Sequence, residues 1–157
     1  MNGFALAGGC ELALACELIV ASDTARFGTP EVKRGIYAGA GGIFRLARRL
    51  TRAQAMEILL TGDPIDSATA LQWGLINQVV PQADLMTAAR KLADRITVNA
   101  PLSVQETLRV ANAANDKTEE ELWALTNERF AFLSDSRDAA EGVAAFAEKR
   151  PPVWTAS

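Results

Sequence analysis

The ten residues GGCELALACE, from Gly8 to Glu17, place two glycines directly before a helical pattern that carries a carboxylate, Glu11, on an otherwise apolar surface. The pattern predicts a helix over about Cys10–Glu17, preceded by a short strand end and a glycine turn. Glycine at a helix start lets a ligand approach the backbone and presents free N–H groups at the positive end of the helix dipole. Such a turn can hold a developing oxyanion, so Glu11 becomes a candidate catalytic group.

A second carboxylate follows in the next segment of the chain. LIVAS (Leu18–Ser22) predicts a buried strand, and ARFGTPEVKRG predicts an extended, turn-rich stretch in which Pro30 fixes the chain before Glu31. Two carboxylates from different elements that converge on one water suit acid–base catalysis without histidine. The local pattern alone favours a simpler interpretation, in which the glycines form a turn and Glu11 is an acid stabilised by the helix dipole.

Composition restricts the class of protein. The chain has 157 residues, typical of one domain, and 49% of them are apolar. A net charge of −3 and an isoelectric point of about 5.0 argue against a nucleic-acid-binding protein. The sequence has no histidine, which excludes a Ser-His-Asp triad, a His-assisted cysteine nucleophile and a His-ligated metal.

The cysteines and the apolar segments indicate the compartment. Cys10 and Cys16 are too few for a disulfide framework or a zinc site, so we expect a reducing, cytoplasmic location. No basic segment of the kind that opens a signal peptide follows the first methionine. The most apolar stretch, Phe4–Ala21, contains Glu11 and Glu17, so we expect no membrane span.

The middle of the chain alternates glycine loops and short helices. AGAGG (Ala38–Gly42) is a second glycine loop, and IFRLARRL after it predicts a helix. Thr51 forms a capping box with Gln54 at the start of another helix, which ends near Gly62. DSATALQWG predicts a short helix that a glycine closes, and LINQVV predicts a strand.

The second half of the chain is almost entirely helical from Asp84 onward. Thr118 and Glu121 are candidates for a second capping box, and a final helix is predicted from Asp135 or Ser136 to about Lys149. The strands are therefore few, short and confined to the first half, which predicts an α/β fold that is mostly helical. This layout is unusual for a self-contained domain and resembles the later part of a larger one.

Three long segments resemble one known family in order and spacing. They are NGFALAGGCELALACELIVASDTARFGTPEVKRG with AGAGG, AMEILLTGDPIDSATALQWGLINQVVP, and SDSRDAAEGVAAFAEKRPP. Together they resemble the enoyl-CoA hydratase/isomerase family, also called the crotonase superfamily, over nearly the whole chain. The resemblance implies a ClpP/crotonase-type ββα spiral fold. Residues 1–82 would form the second part of its core, with the active-site residues, and residues 83–157 a helical oligomerisation region.

The resemblance also implies roles for individual residues. The N–H of Gly8 would be one of two oxyanion-hole donors, and Glu11 and Glu31 would hold a water that adds across the double bond of an enoyl-CoA. Glu11 would activate the water as a base and Glu31 would protonate Cα, while Gly39 would help to position the water. Coenzyme A belongs to the substrate, so no separate cofactor is expected.

Other activities on the same scaffold stay open. Family members that only isomerise tend to lose the first acid, so the presence of both Glu11 and Glu31 favours hydration over an enoyl-CoA isomerase. A 3-hydroxyacyl-CoA dehydratase is a further alternative. Where the family often has proline and threonine or serine around the glycine loop, this chain has Ala38 and Ile43, which alter the shape of the acyl pocket.

The family's chain has a long additional N-terminal part. That part carries the early strands, the second oxyanion donor and the loop that binds the CoA adenine. We therefore expect this chain to be a fragment, or its first methionine to be an internal one. On that basis a truncated subunit that is inactive on its own remains an alternative to a working hydratase.

The resemblance extends to assembly and to the CoA site. Phe146 and Lys149 match positions that can lie near the CoA of an adjacent subunit. The C-terminal helices of the family build trimers, often paired into hexamers, although the apolar residues of ELWALTNERFAFL would serve an intrachain core equally well. Four arginines at helical spacing predict one shared helix face: Arg45, Arg48, Arg49 and Arg52. This face could bind CoA phosphates or a neighbouring subunit, but the simpler interpretation is a helix face exposed to solvent.

Overall fold

Strands in this chain are short and lie in its first half, as the sequence predicts. The computed structural model describes all 157 residues, and these form two compact units, Met1–Arg90 and Lys91–Ser157. The first unit contains β1 (Phe4–Leu6), α1 (Gly8–Leu14), β2 (Val20–Ser22), β3 (Arg26–Gly28), a 3₁₀ helix (Pro30–Arg34), α2 (Gly42–Arg49), α3 (Arg52–Thr61), β4 (Ile65–Asp66), α4 (Ser67–Gln72), β5 (Gln78–Val80) and a second 3₁₀ helix (Gln82–Asp84). The boundary between the units falls within α5 (Leu85–Thr97).

The strands form two small sheets. In the first sheet β3 lies in the centre, parallel to β1 and antiparallel to β4, and Ala5 pairs with Phe27. In the second sheet β2 and β5 are parallel, and Ala21 pairs with Val79. Because β1 and β3 run side by side, the turns at their carboxyl ends, which lead to Gly8 and to Pro30, emerge at the same edge of the sheet.

Helix α1 differs from its predicted bounds at both ends. It begins at Gly8 rather than Cys10 and ends at Leu14 rather than Glu17. At its end the Ala15 N–H bonds to the carbonyls of both Glu11 and Leu12, so the last turn tightens and the chain leaves the helix. The following strand is correspondingly shorter than LIVAS and begins only at Val20.

The stretch ARFGTPEVKRG is not extended throughout, and that prediction was wrong. Arg26–Gly28 form β3, but Pro30 then occupies the first turn of a 3₁₀ helix that ends at Arg34. The fixed φ of proline suits a helix start. Gly35, at φ +74°, closes the helix in the left-handed conformation that glycine adopts readily.

The predicted helix caps are confirmed. Both capping boxes are present, Thr51 with Gln54 and Thr118 with Glu121, and Gly62 ends α3 in the left-handed conformation. Ser136 is the N-cap of the last helix, and its hydroxyl accepts a hydrogen bond from the Ala139 N–H. These signals are local, so they do not depend on the rest of the fold.

The prediction that the four arginines share one helix face was wrong. Leu50 is extended and Thr51 caps a new helix, so Arg52 belongs to α3 while Arg45, Arg48 and Arg49 belong to α2. The guanidinium of Arg45 donates to the Ala40 carbonyl at 2.9 Å, and Arg49 donates to the Cys16 carbonyl. Arginines of α2 therefore form hydrogen bonds to the backbone of neighbouring loops.

The core of the first unit lies around α1 and the first sheet. Its largest fully buried side chains include Phe27 from β3, Leu46 from α2, Ile58 from α3 and Cys10 from α1. Small residues let these elements approach each other: a Cβ added at Gly28 would lie 2.9 Å from the Pro64 backbone. This packing fixes α1 and the chain after β3 against each other.

The second unit is helical and has few buried apolar side chains. It contains α6 (Pro101–Ala113), α7 (Glu119–Ser134) and α8 (Arg137–Glu148). The C-terminal tail lies along α8, where the Asp138 carboxylate accepts hydrogen bonds from the N–H groups of Thr155 and Ala156, which lower the pKa of Asp138. No helix of the chain is both long and apolar enough to cross a bilayer.

Candidate active site

The turn between β1 and α1 presents free backbone N–H groups. Ala7 adopts φ +51° and ψ −129°, a strained conformation for a residue with a Cβ. Its N–H donates to the Gly28 carbonyl at 3.0 Å, and its own carbonyl accepts from Cys10 and Glu11. The next two amides, of Gly8 and Gly9, belong to the first helical turn, are exposed and bond to no group of the chain.

The space beside these amides is open. A Cβ added at Gly8 would meet no atom within 4 Å. A hydrogen-bond acceptor can therefore approach the Gly8 N–H directly, at the N-terminus of a helix, where a developing negative charge is stabilised. The structure thus gives Gly8 the features that an oxyanion donor needs.

Glu11 is buried and held by a backbone amide. Its side chain is 6% exposed, and Oε1 accepts a hydrogen bond from the Gly42 N–H at 2.9 Å. Gly42 is the first residue of α2, so its N–H has no acceptor within that helix. One carboxylate oxygen of Glu11 is thereby fixed at the N-terminus of α2, and the other makes no such bond.

Glu31 is buried without a full set of partners. It lies in the first turn of the 3₁₀ helix after β3, is 8% exposed, and its Oε2 has no hydrogen-bond partner. Buried carboxylate oxygens are normally hydrogen-bonded. An unpartnered oxygen of this kind is available to exchange a proton with a ligand or a water.

The buried Cys10 thiol lies near both carboxylates. The pKa of its thiol is raised to about 11, mainly by burial and in part by the negative charges of Glu31 and Glu11. Both carboxylates therefore act on the same buried side chain. The protonated thiol is no nucleophile, and Cys10 packs in the core of the first unit.

Gly39 lies in the exposed loop between the 3₁₀ helix and α2. A Cβ added there would lie 3.7 Å from the Tyr37 ring, an ordinary contact, so space does not require glycine at this position. The predicted role of Gly39 in positioning water stays a prediction.

The sequence matches one known protein family over its whole length. The sequence model described as enoyl-CoA hydratase/isomerase matches residues 1–157. The chain belongs to the enoyl-CoA hydratase/isomerase family. It is 42% identical to the carnitinyl-CoA dehydratase of Proteus mirabilis and 43% identical to a probable enoyl-CoA hydratase of Mycobacterium bovis, over 98% of this chain and 60% of each relative.

Solved structures of the family agree with the fold. The enoyl-CoA hydratase of Mycobacterium tuberculosis H37Rv superimposes with a TM-score of 0.96 at 44% identity, over 99% of this chain and 62% of that one. The predicted crotonase-type fold is therefore confirmed. The chain spans about three fifths of the length of the relatives it matches.

Gly42 belongs to the candidate site and was not predicted from the sequence. The resemblance to the enoyl-CoA hydratase/isomerase family implies a role for Gly39 in positioning water, but the amide that binds Glu11 belongs to Gly42. A Cβ added at Gly42 would lie 2.8 Å from the Ala38 Cβ and 3.1 Å from Glu11 Oε1. The available signal was its position at the predicted start of a helix, where an N–H lacks an acceptor.

Two predicted site residues lie in the other compact unit. Phe146 lies on α8 and is 87% exposed, and Lys149 caps that helix at φ +56°. The structure describes each unit by itself, so the proposed contact of these residues with CoA stays a prediction.

No three cysteine, aspartate or glutamate side chains are arranged so that they could hold a metal ion together.

Proposed function

We propose that this chain carries the acid–base site of an enoyl-CoA hydratase. The observation that supports this most directly is the burial of two carboxylates, Glu11 and Glu31, near the same Cys10 thiol. They come from separate elements and have different partners: one is fixed by an amide, the other has an unpartnered oxygen. Two carboxylates in different surroundings can take different roles, one as a base and one as an acid.

The proposed reaction adds water to the α,β double bond of an enoyl thioester. The free oxygen of Glu11 accepts a proton from the water while the water oxygen bonds to Cβ. Glu31 delivers a proton to Cα, so that the product is the 3-hydroxyacyl thioester. The Gly42 amide leaves only one oxygen of Glu11 available, which orients the base. General acid–base groups of this kind each contribute about 10²–10⁴-fold in rate.

The thioester oxygen becomes negative as water adds. The exposed N–H of Gly8 is the donor that this chain supplies to that oxygen, and the open space beside it admits the thioester. Loss of one oxyanion donor costs about 10²–10³-fold in rate. The resemblance implies that a second donor comes from a part of the family's chain outside the stretch that this sequence matches.

Dehydration of a 3-hydroxyacyl-CoA is the second candidate. It is the same reaction in reverse and uses the same two carboxylates. Carnitinyl-CoA dehydratases of several bacteria are among the similar relatives, at 40–42% identity, which supports keeping this alternative. Products formed from crotonyl-CoA, a 3-hydroxyacyl-CoA and a 3-enoyl-CoA separate hydratase, dehydratase and isomerase.

We also propose a homo-oligomer, a trimer or a hexamer formed by two trimers, as the working assembly. Among apolar residues of the second unit only Ala145 is buried, whereas Trp123, Phe130 and Phe146 are largely exposed. Exposed apolar surface of this extent marks a protein–protein contact. Phe146 and Lys149 would then approach the CoA of a neighbouring subunit, in a cytoplasmic enzyme that needs no cofactor beyond its CoA substrate.

The variants Glu11→Gln and Glu31→Gln test the proposed function. Each keeps the shape of the side chain and removes its ability to exchange a proton, so we expect the hydration of crotonyl-CoA to fall by about 10²–10⁴-fold. Glu17→Gln, an exposed acid after α1, is the matched control and should hydrate at the original rate. Undiminished turnover in Glu31→Gln, with an unchanged melting temperature, would refute the assignment.

A further inference from the structure

The side chain of Arg45 lies back over the glycine loop, Ala38–Gly42. Arg45 is the fourth residue of α2 and is half-buried. Side chains of a helix point towards its N-terminus, and Arg45 Nη1 donates a hydrogen bond to the Ala40 carbonyl at 2.9 Å. The backbone N–H of Arg45 also donates, at 3.1 Å, to the Gly41 carbonyl. One residue therefore holds two consecutive peptide groups of the loop.

Only the backbone torsions of Gly41 separate the Ala40 carbonyl from the amide that binds Glu11. The Ala40 carbonyl belongs to the peptide group before Gly41, and the Gly42 N–H belongs to the peptide group after it. Glycine has more conformational freedom than any other residue. The Gly42 N–H therefore points at Glu11 Oε1 only while Gly41 keeps its torsions.

The Arg45 guanidinium occupies the space beside Gly41. The φ of Gly41 is +105°, in the left-handed region that favours glycine. A Cβ added at Gly41 would overlap Arg45 Nη1 and would lie 2.9 Å from Arg45 Cζ. The guanidinium thus takes the place in which any other residue at position 41 would have its side chain.

The Phe44 ring contacts the same guanidinium. Arg45 Cζ lies 5.2 Å from the centroid of this ring, within the range of a cation–π interaction. A planar guanidinium can donate hydrogen bonds in its plane and stack on an aromatic ring, which the ammonium group of lysine cannot do. The Ala40 carbonyl, the open side of Gly41 and the Phe44 ring together fix where the guanidinium lies.

We propose that Arg45 is a positioning residue, which fixes the torsions of Gly41 and so keeps the Gly42 amide directed at Glu11. The proposal rests on the proposed function, in which Glu11 is the base. Arg45 acts through two peptide groups of the loop and not on the substrate. Without its guanidinium the loop loses the contacts that select one arrangement of three glycines, Gly39, Gly41 and Gly42.

Amide hydrogen exchange, measured by NMR, tests the proposal without any substrate. Arg45→Met keeps much of the side-chain length and removes every donor. The Gly42 amide should then exchange about tenfold faster, the factor that corresponds to loss of a hydrogen bond to a charged group. The Ile58 amide, in the buried part of α3, should keep its rate. Arg52→Met is the matched control, because Arg52 is exposed and belongs to α3, and it should leave the Gly42 rate unchanged.

Hydration of crotonyl-CoA tests whether this positioning matters for catalysis. Arg45→Met should lower kcat by about tenfold, with a smaller change in KM. The same substitution made in a Glu11→Gln protein should lower kcat no further, because a base that is absent cannot be misdirected. A residue that only stabilises the fold would lower kcat by the same factor in both proteins. If Arg45→Met lowers the melting temperature, Arg45→Lys replaces it, with a smaller loss of the same kind.

An unchanged exchange rate of the Gly42 amide in the Arg45 variant overturns the proposal. Equal falls in kcat with and without Glu11 overturn it too, as does faster exchange at Gly42 with an unchanged kcat. Faster exchange at Ile58 as well as Gly42 shows a general loss of stability and counts against the positioning role. The proposed function fails separately: if Glu11→Gln keeps full turnover, Glu11 is not the base, whereas the exchange rate still decides whether Arg45 positions the Gly42 amide.

Discussion

The variant Gly42→Ala adds a single methyl group where the structure has no room for one. The new Cβ would lie 2.8 Å from the Ala38 Cβ and 3.1 Å from both Cγ and Oε1 of Glu11. The backbone of Gly42 is helical, so alanine causes no strain of its own. Relief of the contact therefore has to come from movement of Glu11 or of the loop that contains Ala38.

The expected loss follows from the hydrogen bond that this movement breaks. The Gly42 N–H donates to Glu11 Oε1 at 2.9 Å in a buried setting. Hydrogen bonds to charged groups contribute roughly 1.5–3 kcal/mol, and each 1.36 kcal/mol is tenfold in rate. If Glu11 is the base and this bond orients it, kcat for crotonyl-CoA hydration should fall by about 10- to 150-fold, with a smaller change in KM.

Loss of absorbance at the enoyl band of crotonyl-CoA measures the rate, and thermal unfolding of the same samples measures stability. Gly3→Ala is the control, because a Cβ there meets nothing within 4 Å. A Gly42→Ala protein that melts as the original and retains its kcat would refute the positioning of Glu11 by this amide. A fall in melting temperature with kcat unchanged would give Gly42 a packing role only.

Three further predictions concern strain, thiol reactivity and acid stability. Ala7→Gly should raise the free energy of unfolding in urea by about 1 kcal/mol, since backbone strain of about 1–3 kcal/mol exceeds the entropic cost of glycine, about 0.5–1 kcal/mol; a loss of stability contradicts this. At pH 8 a thiol reagent should modify exposed Cys16 and not buried Cys10, and both in denaturant; two reactive thiols in the folded protein would contradict the burial. Arg150 lowers the pKa of Glu141 to about 2, so this stabilisation is present above the ordinary pKa of 4.5 and is lost as pH falls towards 2. Glu141→Gln should remove that part of the acid-unfolding curve, and identical curves for the two proteins would contradict the prediction.

Local signals carried most of what could be predicted about the fold. Capping boxes, glycine stops and helical periodicity depend on residues within one turn, and the structure confirms them at Thr51, Gly62 and Thr118. The predictions failed where the boundary of a helix depends on the backbone geometry of the adjoining turn. The end of α2 at Leu50 separates Arg52 from the other arginines, and the strained turn at Ala7 starts α1 two residues early.

The candidate site was predictable in its residue types and not in its contacts. A carboxylate behind a glycine turn and another after proline identify Glu11 and Glu31 as candidates, and the family likeness adds Gly8 and Gly39. The bond from Gly42 joins residues 31 positions apart. The sequence around Glu11 and the sequence around Gly42 do not predict this hydrogen bond, because it results from the packing of α1 against α2.

Ala38 connects the glycine loop to the residue that holds Glu11. A Cβ added at Gly42 would lie 2.8 Å from the Ala38 Cβ, so Ala38 packs against the start of α2. If Glu11 is the base, a larger side chain at position 38 should displace Gly42 and lower kcat for crotonyl-CoA hydration, while the exposed Ile43 should tolerate the same kind of change. Ala38→Val compared with Ile43→Val, each assayed on crotonyl-CoA, measures this difference. Equal effects on kcat at the two positions would show that Ala38 does not transmit packing to the base.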